Sequence, residues 1–561
     1  MRIIVQINTA FLTALIFLPF LCSMRLFALF IFLIFSQSLL AQVPDSIKTV
    51  VVTASRLEII KSGRYNFEKK DSLTSLLSLA VDVQLKQDKT LFYADSAILN
   101  QNTSVVEAFD HVHINDNDSM HTYAKYMRYN GKEKKAYLRD NVRFTDNKGG
   151  VLTTSELYYD LNTKIATYKT GGKVVNRNTV LTSKEGEYFQ DLKEVTFRKN
   201  VVLQSPEYTI YTDSLIYNSE TEIARFIAPT TIINGKRKIY TKEGYYDLKL
   251  GSAFFAKRSS IVDTTYSIVA DSMAFDDKKG LAQFRGNVVF VDTANGVSIL
   301  ANQLLANNKT GSLLATEKPL MILKQQKDSI YVNADTLYSA KITDMAPGVI
   351  IPIITDTAGK NYKQPDLLGK DSSMNRMFIG YHNVRIFSDS LQAVCDSVFY
   401  SGIDSAFRLY RNPIVWANNS QITADTMYLF TKQQKPDRLH AFFNGFIINK
   451  TGKAQFNQVK GNTVNAWFKE GEIDYVRAKG RAESVYYAQD EENKFIGMNR
   501  ATSDAIDMFF ADRKPTRVKF INDLKGVTYP IKQVPPEEDK LKGFNWQDEK
   551  RPKTRFEMFS F

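Results

Sequence analysis

The sequence predicts an all-β protein made of repeated antiparallel hairpins. Three observations indicate this class. A motif of about thirty residues recurs along the chain, apolar and polar residues alternate within each copy, and short polar turns separate the alternating stretches. Such regular repetition is typical of stacked units that bury one shared apolar face.

The repeat is clearest at Ala270–Phe290, which reads ADSMAFDDKKGLAQFRGNVVF. Similar stretches occur at Ala94–Ile114, Thr212–Ile232 and Cys395–Val415. Positions equivalent to Asp271 recur every 28 to 31 residues between Asp95 and Asn302. The turn DDKKG and its equivalents have the length of hairpin connections, so the repeat favours an antiparallel roll over a parallel β-helix.

Each repeat has one apolar and one polar face. Phe284 and Val288 fall on one side of a strand, whereas Arg285 and Asn287 fall on the other. Other copies keep this register, and a slip of one residue would move the whole apolar set to solvent. We therefore take the apolar face as the candidate binding face. Its members are Val106, Ala108, Val112, Ile114, Leu138, Val142, Phe144, Val195, Phe197, Val201, Leu203, Phe226, Ile232, Phe284, Val288 and Phe290.

This apolar face has two interpretations. In a closed barrel or sandwich it is the core, whereas in an open roll it lines a groove that suits acyl chains. Removing a CH₂ group from water is worth about 0.8 kcal/mol, so a 14-carbon chain gains on the order of 10 kcal/mol from such a groove. The alternation fits both interpretations.

Residues 1–41 have the layout of a signal peptide. Arg25 precedes the apolar run LFALFIFLIFSQSLLAQ, which ends in small or polar residues near Ala41. We expect Met24 to be the true start and cleavage to follow Ala41, and an N-terminal membrane anchor is the alternative. Beyond Ala41 no apolar run approaches the roughly 20 residues of a membrane helix. The mature chain is therefore expected to be exported.

The rest of the sequence divides into five parts. They are a lead-in (42–87), a first repeat block (88–340), a Pro- and Gly-rich loop or insertion (341–376), a second block (377–512) and a polar C-terminal tail (513–561). The one stretch that allows a helical interpretation is Ser72–Val83.

Charge and cysteine content narrow the function classes. After residue 41 the chain has 71 Lys and Arg against 60 Asp and Glu, a net charge of about +11. Such an excess favours an anionic partner, and export argues against nucleic acid. The two cysteines, Cys22 and Cys395, are too few for a disulfide framework.

No catalytic motif is recognisable, so neither an enzyme nor a cofactor is expected. A metal site is the alternative for a cluster of His and Asp residues that consists of Asp110, His111, His113, Asp116, Asp118 and His121. Solvated polar side chains are the simpler interpretation. The recurring acidic position is occupied by Lys125 and Asn302 in two repeats. It therefore predicts a turn-bonding or rim role and no catalytic charge.

The repeated motifs also carry a resemblance. GNV-like strands occur at Arg285–Val288, Lys199–Val201 and Asp140–Val142, and ADS strands accompany them. These strands, and especially EAFDHVHINDNDSMHTYAKYMRYNGKEKKAYLRDNVRFTD at Glu107–Asp146, resemble the OstA-like (organic solvent tolerance) family of lipopolysaccharide-transport proteins. The similarity covers residues 88–340 and, more loosely, 377–510.

The resemblance implies an elongated V-shaped β-jelly roll in one or two blocks. Its interior would hold the acyl chains of lipopolysaccharide at the lipid A region, and basic residues at its rim would meet phosphates. Such rolls join end to end and link the inner- and outer-membrane transport components across the periplasm, without catalysis. Two alternatives stay open: a periplasmic β scaffold for outer-membrane assembly, and an exported β-solenoid enzyme or adhesin that acts on polysaccharide.

Overall fold

The computed structural model describes residues 56–71, 74–146, 150–324, 329–344, 376–432, 435–511 and 514–559. The predicted signal peptide and nearly all of the predicted loop at 341–376 lie outside these residues. The described chain consists of β-strands, turns and four short 3₁₀ helices. None of its helices is long and apolar enough to cross a membrane.

Forty strands follow one another along the described residues. The first fourteen are β1 (Glu58–Lys61), β2 (Arg64–Lys69), β3 (Ser75–Gln87), β4 (Thr90–Asn100), β5 (Val105–Asp116), β6 (Met120–Asn130), β7 (Lys135–Asp146), β8 (Val151–Asp160), β9 (Ile165–Tyr168), β10 (Gly172–Asn176), β11 (Thr179–Ser183), β12 (Glu185–Phe189), β13 (Glu194–Gln204) and β14 (Thr209–Asn218). The next fourteen are β15 (Ile223–Phe226), β16 (Thr230–Asn234), β17 (Arg237–Thr241), β18 (Glu243–Asp247), β19 (Ser252–Ala256), β20 (Ser259–Val262), β21 (Tyr266–Ala270), β22 (Ser272–Asp276), β23 (Leu281–Asp292), β24 (Val297–Asn307), β25 (Ser312–Thr316), β26 (Leu320–Lys324), β27 (Ser329–Asn333) and β28 (Thr336–Lys341). The last twelve are β29 (Arg376–Phe387), β30 (Leu391–Ser401), β31 (Ala406–Tyr410), β32 (Ile414–Ala417), β33 (Ser420–Thr423), β34 (Thr426–Lys432), β35 (Lys435–Lys450), β36 (Phe456–Lys469), β37 (Glu472–Gln489), β38 (Phe495–Ala511), β39 (Lys514–Ile521) and β40 (Lys525–Pro530). The 3₁₀ helices are η1 (Ile342–Asp344), η2 (Ile531–Gln533), η3 (Asp548–Lys550) and η4 (Arg555–Met558).

Every second long strand bends at a two-residue bulge, which opposes a single residue of the next long strand. In β13, Arg198 pairs with Ser214 and Val201 with Thr212, so Lys199 and Asn200 together oppose one residue of β14. Both bulge residues have positive φ, 65° and 53°. A bulge of this kind bends its strand sharply. Because the bulges recur along the chain, the bends align into what we call the fold line.

Two walls of paired strands meet at the fold line. Wall A contains β1, β10, β11, β16, β17, β20, β21, β26, β27, β32, β33 and β40, and wall B contains β2, β9, β12, β15, β18, β19, β22, β25, β28, β31, β34 and β39. The remaining strands cross the fold line and give one half to each wall. All pairings are antiparallel, which confirms the predicted all-β fold class and the folded-over, V-shaped roll.

Strand pairing continues from the first repeat block into the second. β29 follows the predicted loop in the sequence and pairs with β27 in wall A and β28 in wall B. The hydrophobic core lies between the walls, because the alternating apolar residues of both point inward.

The helical interpretation of Ser72–Val83 is wrong. Ser75–Gln87 forms strand β3, in which Leu77 and Leu79 are buried. The bulge at Val81 and Asp82 adds a residue before the next inward position. This insertion gives the apolar residues a spacing that imitates helical periodicity.

The predicted polar tail contains ordered structure. Strands β39 and β40 extend walls B and A. The following segment, Ile531–Met558, runs back across the outer face of wall A, and we call it the strap. The Gln458 amide accepts a hydrogen bond from Leu541 N (2.8 Å) and donates one to Asp539 O (2.8 Å). Gln421 binds the Asn545 carbonyl and the Gln547 N–H in the same way, at 2.7 Å each.

Candidate functional site

The structure places the sixteen predicted groove residues between the two walls. All are buried except Val195, which is partly buried. Seven belong to an N-terminal apolar cluster, namely Val106, Ala108, Val112, Ile114, Leu138, Val142 and Phe144. Eight belong to the main cluster, namely Phe197, Val201, Leu203, Phe226, Ile232, Phe284, Val288 and Phe290. Val195 packs against both clusters and therefore connects them.

Neighbouring residues of one strand face opposite sides of a wall. The Phe284 side chain is 1% exposed, and its ring meets Phe275 edge to face, with 5.7 Å between the ring centroids. Arg285, the next residue, is exposed. Aromatic contacts continue along the inner side of wall B from Phe275 to Phe255 (5.7 Å) and from Phe255 to Phe226 (6.3 Å). The interior of the first block is thus a dry, aromatic-rich layer.

Hydrogen bonds cross the mouth at the N-terminal end of the roll. The mouth is the opening between the wall edges opposite the fold line. Tyr129 at the end of a wall B strand donates to Gln87 Oε1 at the end of a wall A strand, at 2.6 Å. The same Gln87 amide donates to Gly131 O at 2.9 Å. These bonds join the two walls, and we call each such connection a latch.

A second latch lies one repeat further along. Tyr159 of wall B donates to Asp116 Oδ2 of wall A at 2.7 Å and contacts Gln190 Oε1 at 3.2 Å. Gln190 also donates to Ser119 Oγ, across the mouth, at 3.1 Å. Burial, followed by the charge of Asp116, raises the pKa of the Tyr159 phenol far above its usual range. The phenol therefore stays protonated and can act as the donor.

Tyr188 and Tyr217 occupy the equivalent positions in the next two repeats, although the buried Tyr188 hydroxyl has no hydrogen-bond partner among the described residues. Burial and the neighbouring Asp146 carboxylate raise the pKa of Tyr188. Burial also raises the pKa of Tyr217, which bonds the Asn176 side chain. Asp146 and Asn176 lie at the mouth end of wall A strands, and both tyrosines lie at the mouth end of wall B strands. The first four repeats thus place a tyrosine at the same position of the mouth.

Sequence reasoning missed the latches, although the sequence contains their signal. Tyr129, Tyr159, Tyr188 and Tyr217 are spaced by 30, 29 and 29 residues. In three cases the next residue is an Asn or Asp whose side chain caps the following turn, as Asn130 does for Glu133 N at 3.3 Å. The tyrosine repeat was therefore visible beside the turn repeat.

The recurring acidic residues lie on the fold line, away from the mouth. Asp271 opposes the Gly286–Asn287 bulge and accepts hydrogen bonds from Asn287 Nδ2 at 2.8 Å and from Arg258 at 3.0 Å. These donors lower the pKa of the Asp271 carboxyl. The role is hydrogen bonding to a bulge, which is close to the turn-bonding alternative and differs from the rim alternative.

The metal alternative gains no support from the geometry. His111 belongs to a bulge and pairs with Asp95 at 2.8 Å, whereas His113 contacts His121 at 3.1 Å. Among the described residues no three His, Cys, Asp or Glu side chains gather in a metal-binding group. Cys395 is buried in the main cluster, and burial raises the pKa of its thiol.

Comparisons with known proteins match part of the chain to two families. Residues 55–213 match the family model described as OstA-like protein. Residues 164–266 match the model described as Lipopolysaccharide-assembly, LptC-related. The resemblance to OstA-like proteins is confirmed, and the matched region includes β1 to β3, which lie in the predicted lead-in. No curated protein matches the chain.

A solved structure also aligns with the chain. It is the crystal structure of LptH from Pseudomonas aeruginosa, described as the LptA homologous periplasmic component of the conserved lipopolysaccharide transport device. The identity is 13%, and the alignment covers 34% of this chain and 92% of that chain with a TM-score of 0.14. Superposition at this TM-score bears on neither fold nor function.

Proposed function

We propose that this chain, OstA-like over residues 55–213 and LptC-related over residues 164–266, is a non-enzymatic carrier of lipopolysaccharide across the periplasm. The acyl chains of the lipid would lie between the walls, against the sixteen inner residues. The observation that carries the proposal is the continuous apolar inner face in a chain whose matched families include one of lipopolysaccharide assembly. The phosphates would remain outside, near the basic residues.

Loading of the first block requires the walls to separate. Inner side chains such as Phe284 and Leu138 are almost fully buried, so acyl chains must replace their mutual contacts. A latch is a small number of hydrogen bonds, each worth about 0.5–1.5 kcal/mol net. Burial of one 14-carbon chain is worth on the order of 10 kcal/mol, enough to offset several broken latches.

The N-terminal edge of the roll suits end-to-end association with another roll. Strands β1 and β2 pair with β3, and no further described strand covers their outer edge. Tyr65 is 79% exposed, and Ile60 and Phe67 are also exposed. An open edge with apolar side chains is a template for strand addition. Its partners would be other transport components or a second copy.

Photocrosslinking tests the carrier proposal. A photoreactive amino acid is placed at Phe284, and at Arg285 as the outward-facing control, in cells with labelled lipopolysaccharide. We expect adducts at Phe284 and at further inner positions, Phe197 and Leu138, but not at Arg285. Adducts at none of the inner positions would overturn the proposal and identify the inner face as sealed core.

The exposed N-terminal edge also favours a second candidate, a periplasmic scaffold for outer-membrane assembly. Such a scaffold needs strand addition at β1 and β2 but no lipid between the walls. Charged substitutions at Tyr65 and Phe67 would abolish its activity, while filling the interior would not. The carrier requires both surfaces, so the two variants distinguish the candidates.

A further inference from the structure

The interior changes character in the last repeats of the second block. Deep inner positions of wall A are apolar, as at Ile447 and Val459. Nearer the mouth, consecutive cross-strand neighbours are polar. This polar row consists of Ser420, Asn449, Asn457, Tyr486, Asn499 and Thr528. The opposite side, wall B, stays apolar at Ile506 and Met508.

A cavity of about 300 Å³ lies between the walls at this end. Wall A contributes Ser484, Tyr486 and Asn499 to its lining, and wall B contributes Met508, Val518 and Phe520. Val518 and Phe520 are only partly buried, because their strand, β39, is the last of its wall. The volume is at the lower end of the range for small-ligand sites, about 300–1,000 Å³.

Ser484 is a buried polar group that lines this cavity without a partner. Its side chain is 3% exposed, and within the described part of the chain Oγ has no hydrogen bond. A buried hydroxyl without a partner costs about 1–3 kcal/mol. Asn499 uses its amide NH₂ on Thr528 Oγ1 at 2.9 Å. The lining therefore offers a free hydroxyl and an amide carbonyl on the wall A side. The wall B side offers the apolar side chains named above, together with the more polar Thr516 and Arg517.

The strap holds this part of wall A in place. Val485, adjacent to Ser484, points to the outer face and packs in one cluster with Leu541 of the strap. Gln458, on the neighbouring strand, bonds the strap backbone on both sides of Lys540. The wall that supplies Ser484 is thus packed on both faces, which preorganises the cavity.

We propose that this cavity binds the junction of an acyl amphiphile, where an apolar chain meets a hydroxyl or amide group. The chain lies against Met508, Val518 and Phe520, and the hydroxyl or amide bonds Ser484 Oγ. The inference rests on the proposed function and adds to it a site that recognises a polar substituent on the acyl chain.

Binding of two matched probes to the full chain tests this site. The probes are N-tetradecanoyl-N-methylglucamine and its 3-hydroxytetradecanoyl counterpart, measured by calorimetry below their micellar concentrations. We expect the hydroxylated probe to bind about 2- to 10-fold more tightly, the effect of one net hydrogen bond. Ser484→Ala should remove the preference. Ser503→Ala should keep it, because buried Ser503 Oγ donates to Ala505 O at 2.7 Å elsewhere.

A second variant keeps the test independent of Ser484. Val518→Trp should fill the cavity and weaken both probes at least 10-fold. Equal preference in wild type and Ser484→Ala, or undiminished binding in Val518→Trp, would overturn the site. If the cavity site is overturned but Phe284 still forms adducts with lipopolysaccharide, the carrier proposal stands without the cavity site. Absence of adducts at Phe284 counts against the carrier proposal and does not test the cavity site.

Discussion

The chemistry of the latches at the residue level depends on tyrosine. A phenol is long enough to reach across the mouth and keeps its proton at neutral pH, so it can donate to a carboxylate or amide. Its ring remains in the apolar layer, as the contact of Phe144 with Tyr159 shows, with 5.7 Å between the ring centroids. Tyrosine thus joins a dry interior to a polar mouth.

Removing one latch should lower stability measurably. Tyr159→Phe keeps the ring but deletes the donor to Asp116, so we expect the free energy of unfolding to fall by about 1–3 kcal/mol. Tyr158→Phe is the matched control, because Tyr158 points outward and is 49% exposed. Urea unfolding at pH 7 measures both. Equal stability of the two variants would contradict a role for the latch in closing the walls.

The buried tyrosines also predict an alkaline loss of stability. Burial raises the pKa of Tyr168 to about 12, whereas an unfolded tyrosine titrates near 10. Between these values the unfolded chain releases protons that the folded chain keeps, so the free energy of unfolding falls as pH rises. The stabilisation is fully present below pH 10.

Urea unfolding at pH 9 and pH 11 tests this dependence. Tyr168→Phe should lose about 1 kcal/mol less than wild type between the two values, since one pKa unit corresponds to about 1.36 kcal/mol. An identical loss in both proteins would show that Tyr168 does not contribute to it.

At the scale of the strands, the fold line determines where each long strand passes from one wall to the other. Gly286 has φ of 74°, and a Cβ at this position would lie 2.5 Å from Asp271 Oδ2. Hydrogen bonds from Arg258 and Asn287 hold that carboxylate. The site therefore has both backbone strain and a steric conflict for any other residue.

Gly286→Ala should lower the free energy of unfolding by more than the cost of the left-handed backbone conformation alone. The left-handed conformation costs about 1–2 kcal/mol for a residue with a Cβ, and displacement of Asp271 adds to it. Gly471→Ala is the control, since Gly471 has φ of 88° and no atom within 4 Å of an added Cβ. We expect a larger drop in melting temperature for Gly286→Ala. The reverse order would show that the Asp271 contacts do not stabilise the bulge.

The strap contains no strand, and its regular structure is limited to three short 3₁₀ helices. Leu541 is a buried anchor of the strap on the outer face of wall A, 2% exposed. Leu541→Ala should destabilise the strap by about 2 kcal/mol or more and speed hydrogen exchange in residues 538–550. Lys542→Ala, at the adjacent exposed position, should leave exchange unchanged. Unchanged exchange in Leu541→Ala would mean that the side-chain hydrogen bonds of Gln421 and Gln458 are enough to hold the strap on wall A.

The sequence predicts the strands better than it predicts the strap. The strands were predictable because alternation and turn chemistry both have short, fixed periods, as at Phe284 and Arg285. The strap was expected to be a polar tail, because Leu541, Phe544 and Trp546 follow no period among charged residues. The surface of wall A that the strap covers was not predictable either. Trp416 and Ile448 lie on the outer face of this wall, yet they are buried. Only the folded chain brings these distant residues together.

At the scale of the whole molecule, the sequence predicts which residues form the inner face. It does not predict whether that face is a binding groove or a sealed core. Its residues could be assigned to one side of each strand, and the structure places them between the walls. Whether the walls part depends on the cross-mouth bonds, which join residues about 40 positions apart, such as Gln87 and Tyr129. Pairing over that distance requires the fold, so the sequence left core and groove as equal alternatives.

Distances between the wall edges test the central claim, that lipopolysaccharide lies between the walls. Spin labels at Lys89 and Lys132, exposed turn residues of walls A and B, report the width of the mouth by electron–electron double resonance. Labels at Lys89 and Asn117, both in wall A turns, are the control. We predict that lipopolysaccharide lengthens the Lys89–Lys132 distance and leaves the control unchanged. An unchanged distance with saturating lipopolysaccharide would contradict the claim and leave the interior as a sealed core.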